Sequence, residues 1–370
     1  MPRGQAWDDL GTAISHVCRA GLDLDGLREA VLPRLRRAVP FDAVWGAAVD
    51  PATVLFTRTF GEGLPENSGP YFVENEYLSQ DVNKWTELAQ TPARVDTLMH
   101  ATTSNPNLSG RYRDFFEPLG LCDELRAVLR SGGRCWGLIC LHRDKAETPF
   151  SRDEARFVQG IAPHVAEGLR LGLVRQACDR TGSSAGPGLI LLTRDGILSG
   201  SNQAADWWLE ELGGRPGVSG LPVQISVLRT LLLRKDLAEP APPSLRIQTK
   251  SGRWAILHAS WTATAGEPVM AVIVEEASPA ELAPMIMAAY ALTERERTVT
   301  GLVCQGKSTR QMADLLHVTT DTIQDHLKSV FTRTGVHSRG DLVATILRHE
   351  YIPRATAGDP ISPSGAFAAP

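Results

Sequence analysis

The chain has 370 residues, 43% of them hydrophobic and 22% charged, a composition ordinary for a globular protein of two or three domains. Its formal net charge of −4 excludes a whole-molecule attraction to nucleic acid, so any such binding must reside in a local surface. Apolar runs such as Leu231 to Leu233 are far too short to span a bilayer, and the opening Met1-Pro2-Arg3 leads into mixed polar and apolar residues rather than a secretory apolar stretch, which predicts a cytoplasmic chain with no membrane partner.

Residues 6 to 38 place Trp7, Leu10, Ile14 and Val17, then Leu24, Leu27, Val31 and Leu35, at helical spacing, which predicts two helices. Ala43 to Val49 and Val54 to Phe60 read as strands joined by Asp50 and Pro51. Residues 61 to 109 are loop-rich and receive no assigned element. Glu124 to Arg130 and Arg134 to His142 form a hairpin, with Gly132 and Gly133 supplying the positive φ of its turn. Ser151, three residues before Glu154, is a capping box that opens a long helix through Phe157, Ile161, Val165, Leu169 and Val174.

The six cysteines, Cys18, Cys122, Cys135, Cys140, Cys178 and Cys304, show no CxxC and no Cys/His pair at metal-ligand spacing. They are expected to be reduced packing residues, with neither metal nor cofactor. Cys135 and Cys140 lie five apart on a predicted strand, an odd separation that sends their side chains to opposite faces.

The order helices, strands, loop, strands, long helix, together with Trp136-Gly137-Leu138, Leu141-His142-Arg143 and Phe150-Ser151, resembles a GAF domain, so residues 1–178 are read as a GAF-like sensor domain with flanking helices. The resemblance implies a small ligand held between the sheet and its covering loops, but no residue identifies that ligand. Cys122, Cys135 and Cys140 are open to two readings, a chromophore or redox site and plain buried sheet packing.

Gly182, Ser183, Ser184, Gly186 and Pro187 punctuate the chain before a second block. Leu189 to Leu192, a turn at Asp195-Gly196, Ile197 to Ser199 and then the helix opening Asn202-x-Ala204-Ala205 resemble a PAS domain, placed at 186–277. Leu245 to Thr249, Trp254 to Trp261 and Val269 to Glu275 supply three further strands, and Pro240, Pro242 and Pro243 mark a loop between. Trp207, Trp208, Trp254 and Trp261 either line a ligand cavity or form plain core.

The sharpest punctuation follows Pro279. Thr293 with Glu296 and Ser308 with Gln311 form two capping boxes, and Thr319 and Ser338 are two further N-caps. They open four helices with apolar faces Val299/Leu302/Val303, Met312/Ala313/Leu315/Leu316, Ile323/Leu327/Val330/Phe331 and Leu342/Val343/Ile346/Leu347. Gly306, His317-Val318 and Gly335 provide the turns, and two short helices joined tightly are a helix-turn-helix. The strings Leu292-Thr293-Glu294-Arg295-Glu296, Gly306-Lys307-Ser308, Met312-Ala313-Asp314-Leu315-Leu316, Thr319-x-x-Thr322-Ile323 with His326-Leu327, and Gly335-Val336-His337-Ser338-Arg339 resemble the LuxR-type output domain, placed at 285–350.

The resemblance implies that the third helix enters the major groove of double-stranded DNA. Carried onto this sequence, Gln324, Asp325 and Lys328 face bases, while Thr322, Thr309, Arg333 and Arg339 contact phosphates, helped by the free amides at the helix starts of Ser308 and Thr319. Gln324 suits adenine, Lys328 guanine and Asp325 the amino group of cytosine. Gln324 stands where lysine is common in that family, and residues 285–352 carry eight Lys or Arg against seven Asp or Glu, a weak net of about +1 for a DNA binder.

The sequence thus predicts a multidomain chain: α+β GAF-like and PAS-like sensor domains, an all-α four-helix helix-turn-helix domain, and a disordered tail at 353–370. It is expected to be a homodimer, using the apolar stripe of the last helix with further surface on the long helices near residues 6–20 and 151–175, to take DNA and in one reading a small-molecule ligand, and to perform no catalysis. Two alternatives stay open: a protein-docking regulator with little DNA affinity, and a signalling enzyme fused to the domain.

Overall fold

In the computed structural model, residues 3–65, 68–176, 186–214, 221–234, 243–263 and 266–346 are described. Cys178, the joint at 181–185, Pro240, Pro242, Leu347 and the tail at 353–370 lie outside the described residues. The chain divides into two units, Met1–Gly172 with Ser184–Glu276, and Leu173–Ser183 with Ala277–Pro370.

The first unit opens with α1 (Arg3–Cys18) and α2 (Leu24–Ala38), then β1 (Ala43–Val49), β2 (Phe56–Glu62), α3 (Ser68–Leu78), the single turn α4 (Trp85–Leu88), β3 (Val95–Thr97) and α5 (Leu98–Ala101). Two short turns, Pro106–Leu108 and Tyr112–Phe116, lead to β4 (Leu121–Ser131), β5 (Arg134–Asp144) and α6 (Arg152–Gln176). The strands pair in the antiparallel order β2-β1-β5-β4-β3. Glycine permits α6 to lie close on the sheet: a Cβ at Gly137 would stand 2.4 Å from Leu169 Cδ1 and 2.9 Å from the Ala47 carbonyl.

A second sheet follows from β6 (Gly188–Leu192), β7 (Leu198–Ser201), α7 (Gln203–Glu211), α8 (Val223–Leu233), β8 (Ser244–Gln248), β9 (Trp254–Thr262) and β10 (Val269–Glu276). Its order, β7-β6-β10-β9-β8, repeats that of the first sheet. Asn202 caps α7 by accepting the Ala205 amide at 3.0 Å. Trp208 is buried in its core, with Trp207 and Trp261 half-buried against it, while Trp254 is buried outside that apolar cluster.

The two sheets belong to one unit because α8 packs on α3. Val227 of α8 is buried in the same apolar cluster as Trp45, Val73, Trp85 and Cys140. Ion pairs join the same parts, Arg229 to Glu74 at 2.8 Å and Arg246 to the buried Asp50 at 2.9 Å.

Several sequence expectations shift. The second strand starts at Phe56 rather than Val54, because Asp50 accepts the Ala52 amide and Val54 turns with φ +60°. Residues 61–109, expected as loop, contain α3 to α5; Phe72, Val73 and Asn75 of α3 are buried with α8 packed on the helix, so no single apolar stripe announces it. Helix α8 was hidden likewise, with Gln224 to Leu228 buried in succession. Cys135 and Cys140 do not oppose each other: a register shift between Leu129 and Arg130 in the β4/β5 ladder accompanies their burial in one cluster, as an extra residue in one strand reverses facing parity beyond it.

The second unit contains α9 (Pro279–Ala289), α10 (Glu294–Cys304), α11 (Thr309–Leu316) and α12 (Thr320–Thr334), and a further helix, α13, at 339–346.

Candidate nucleic-acid interface

Local hydrogen bonds fix the helix starts. Thr293 Oγ1 accepts the Glu296 amide at 3.3 Å while the Glu296 carboxylate accepts the Thr293 amide at 2.7 Å, and Ser308 and Gln311 exchange the same pair at 3.3 and 2.9 Å. Thr319 Oγ1 accepts the Thr322 amide at 3.2 Å to open α12, and Ser338 accepts the Asp341 amide at 3.0 Å to open α13. The bend between α11 and α12 is made by His317 in the left-handed region (φ +54°, ψ +45°), and Gly335 (φ +71°) ends α12.

Burial then sorts the faces of α12. Ile323, Leu327 and Val330 are buried with Val299, Val303, Met312, Ala313, Leu342 and Ile346. Gln324, Asp325 and Lys328 are exposed, as helical spacing from a buried 323/327 pair requires. Leu342 and Ile346, offered as a dimer stripe, are each 0% exposed, and Val343 is half-buried. Those two residues are taken up by the chain's own core, which removes them from any dimer surface.

A groove runs beside the exposed face of α12. Thr309, Gln324, Lys328, Thr332, His337 and Arg339 line it, and none of its lining residues is a carboxylate. The structure therefore brings Thr309, Gln324, Lys328 and Arg339 together from three helices. Thr332 and His337 were missed; both follow from the register of α12 and its turn, since 332 lies one turn beyond 328. Arg339 donates to Thr309 Oγ1 at 2.6 Å, which fixes its guanidinium in the groove wall. Asp325, Ser308, Thr319 and Thr322 lie outside the groove lining. The Thr319 hydroxyl pairs with that of Thr322 at 2.9 Å.

Arg333 is held elsewhere, donating to the Ala291 carbonyl at 3.0 Å and pairing with Glu296 at 3.4 Å. Glu296 ties α10 to α12, because Ser329 Oγ donates to its Oε1 at 2.5 Å. Burial works to raise the carboxyl's pKa, but the hydrogen bonds from Ser329 and Thr293, with Arg333 nearby, hold it below the ordinary glutamate value.

Residues 290–346 match the family described as bacterial regulatory proteins, luxR family. Within that segment, 57 residues are 35% identical to spore germination protein GerE of Bacillus subtilis (strain 168), covering 15% of this chain and 77% of GerE. The chain belongs to the LuxR family of bacterial regulatory proteins. A second LuxR-type relative, the transcriptional activator protein BjaR1 of Bradyrhizobium diazoefficiens, is 38% identical over 61 residues, 16% of this chain and 25% of its own length. This LuxR-family chain thus spans only a quarter of that relative. Residues 23–169 match the GAF domain. Among solved structures, the GAF domain/HD domain protein from Geobacter sulfurreducens is similar at 18% identity and a TM-score of 0.32, over 43% of this chain and 97% of that one.

The GAF segment holds three buried side chains that could each offer a metal ion one atom. Cys140 and His142, two apart on β5 and so on one face, join Glu124 of β4 to bring one possible metal-ligand atom each within 4.8 Å of one another.

Among the described residues no helix is long and apolar enough to cross a membrane.

Proposed function

We propose that this protein is a sequence-specific DNA-binding transcription regulator in which α12 lies in the major groove of a two-fold operator. The observation that carries the reading is the groove beside α12, where Lys328 and Arg339 present cations with no carboxylate in the lining. This gives a local positive surface on a segment whose overall charge is close to balanced. Gln324, Asp325 and Lys328 reach base edges; Thr309, Thr322 and Arg339, with the amide-rich helix starts at Ser308 and Thr319, take phosphates. Arg333 reaches a phosphate only by leaving its contact with Glu296 or with Ala291.

In the same proposal the parts are a GAF-like domain at 1–178, a PAS-like domain at 186–277 and the output domain at 285–350, with 353–370 a dispensable tail. The N-terminal region senses a signal or forms the homodimer, the protein works in the cytoplasm, and no catalytic step is assigned to it. The named relatives, a transcriptional activator and a spore germination protein, support a regulator over an enzyme.

The test is an electrophoretic shift of the full-length chain against genomic fragments. Specific retardation that weakens in Lys328→Ala is expected. Absence of any shift down to low salt would replace this reading with a protein-docking role, to which the exposed Asp321 and Asp325 would be suited.

A further inference from the structure

One face of the β4/β5 ladder in the GAF segment buries ionisable side chains. Arg111, Glu124, Arg126 and His142 are all at most 2% exposed. Most of their polar atoms are matched. Arg111 Nε and Nη2 donate to Glu124 Oε2 at 3.0 and 2.7 Å, and Arg126 Nη1 donates to Glu76 Oε2 at 2.9 Å.

His142 differs. It is 0% exposed and neither ring nitrogen has a hydrogen-bond partner. Its ring is packed against Phe116 and Phe72, with centroids 5.0 and 6.1 Å away. Native proteins rarely leave a buried imidazole with both its donor and its acceptor unmet, because each such group loses its water for nothing. Glu124 Oε1 is also without a hydrogen bond, although Arg126 Nε stands 3.1 Å from it. Glu124 is the cross-strand partner of His142, and Cys140 sits two residues before His142 on the same strand. One atom from each of these three side chains lies within 4.8 Å of the others.

We propose that Glu124, Cys140 and His142 bind a single divalent transition metal of the zinc, cobalt or iron(II) class, a site that is independent of the DNA-binding reading. A sulfur, a nitrogen and an oxygen donor suit such borderline ions, whereas magnesium and calcium prefer oxygen-only sets. Binding displaces the Cys140 thiol proton to solvent, and the thiolate supplies the new negative charge against the ion, Glu124 being already shared with Arg111 and Arg126 and those two arginines with Asp81 and Glu76. Arg111, bonded to Glu124 Oε2, is the positioning residue that leaves Oε1 for the metal. Arg126 gives up its Nε contact with Oε1 and keeps Glu76. Three protein ligands leave one tetrahedral position for water or an exogenous small ligand.

The test is a cobalt(II) titration of the full-length chain, followed by the near-ultraviolet thiolate-to-cobalt charge-transfer band. One equivalent is expected to develop the band, and zinc to displace it. Cys140→Ser and His142→Gln should weaken cobalt binding by more than the roughly 10–100-fold typical of losing an outer-shell partner, and Cys140→Ser should abolish the band. Cys135→Ser, buried in the same apolar cluster as Cys140 but outside the triad, should keep it. No cobalt uptake by the wild type, or a band that survives in folded Cys140→Ser, would overturn the proposal. Should the buried variants fail to fold, X-ray absorption of the zinc-loaded wild type decides. One sulfur at about 2.3 Å among nitrogen and oxygen scatterers supports the site, and a shell without sulfur, or with more than one, rejects it.

Discussion

Charge at the outer face of α12 offers the most direct probe of how this protein meets DNA. Asp325 and Lys328 are both exposed and three residues apart, about 4.5 Å along the helix axis, so a duplex that meets one meets the other. Neither substitution should disturb folding, since exposed positions away from caps and core usually change stability by less than about 0.5 kcal/mol. Each phosphate contact adds about 0.9 to the slope of log K against log salt. Between 50 and 200 mM salt one contact is therefore worth roughly 3.5-fold in affinity. Lys328→Ala should lose about 1–3 kcal/mol of binding if the lysine reads a base, or about one unit of salt slope if it holds a phosphate. Asp325→Lys removes a repulsion and adds a cation, so non-specific affinity should rise, sequence preference relax and the slope steepen by about one contact. Fluorescence anisotropy of the full-length chain on labelled operator and on random duplex, across that salt range, measures both quantities. Unchanged affinity and slope in both variants would show that this face of α12 is not in the groove.

Ile323→Ala, at a position 0% exposed one residue before Gln324, should instead destabilise the output unit by about 2–5 kcal/mol, read as a lowered urea midpoint; a loss below about 1 kcal/mol would contradict its place in the core. Gly137→Ala puts a methyl 2.4 Å from Leu169 Cδ1 and 2.9 Å from a backbone carbonyl, so thermal unfolding should register a loss on the order of 1–3 kcal/mol, and an unchanged Tm would mean that α6 can lift off the sheet at no cost. Glu296, with its pKa lowered in the folded state, contributes stability that is fully present above its unfolded value and is lost as pH falls through the folded one. Denaturant midpoints of the output unit should therefore drop on acidification below about pH 4.3, and less steeply in Glu296→Gln; parallel pH profiles would refute the linkage.

The segments most legible in the sequence are those whose structure is decided within a few residues. Capping boxes act between positions three apart, so Thr293/Glu296 and Ser308/Gln311 are visible as pairs of letters, and the structure forms both hydrogen bonds of each. The β4/β5 hairpin is equally local, because Gly132 and Gly133 take the positive φ its turn needs. The buried 323/327/330 face of α12, and with it the exposure of 324, 325 and 328, follows from helical period alone.

Contacts between residues far apart in the chain were decided only by tertiary structure. Helices α3 and α8 bury side chains on several faces because they cover each other, which erases the one-sided pattern by which a helix is recognised. The last helix shows an apolar stripe, but whether a stripe faces the chain's own core or a second copy cannot be read from period, and here Leu342 and Ile346 turn inward. Cys135 joins Cys140 through a register irregularity that no local residue pattern announces. Glu124 meets His142 only because β4 and β5 pair in one register; a slip of one residue would send every side chain of a strand to the opposite face. Local hydrogen bonding and periodicity thus determined the elements and the output unit's faces, while strand register and the packing of distant helices determined which buried side chains meet.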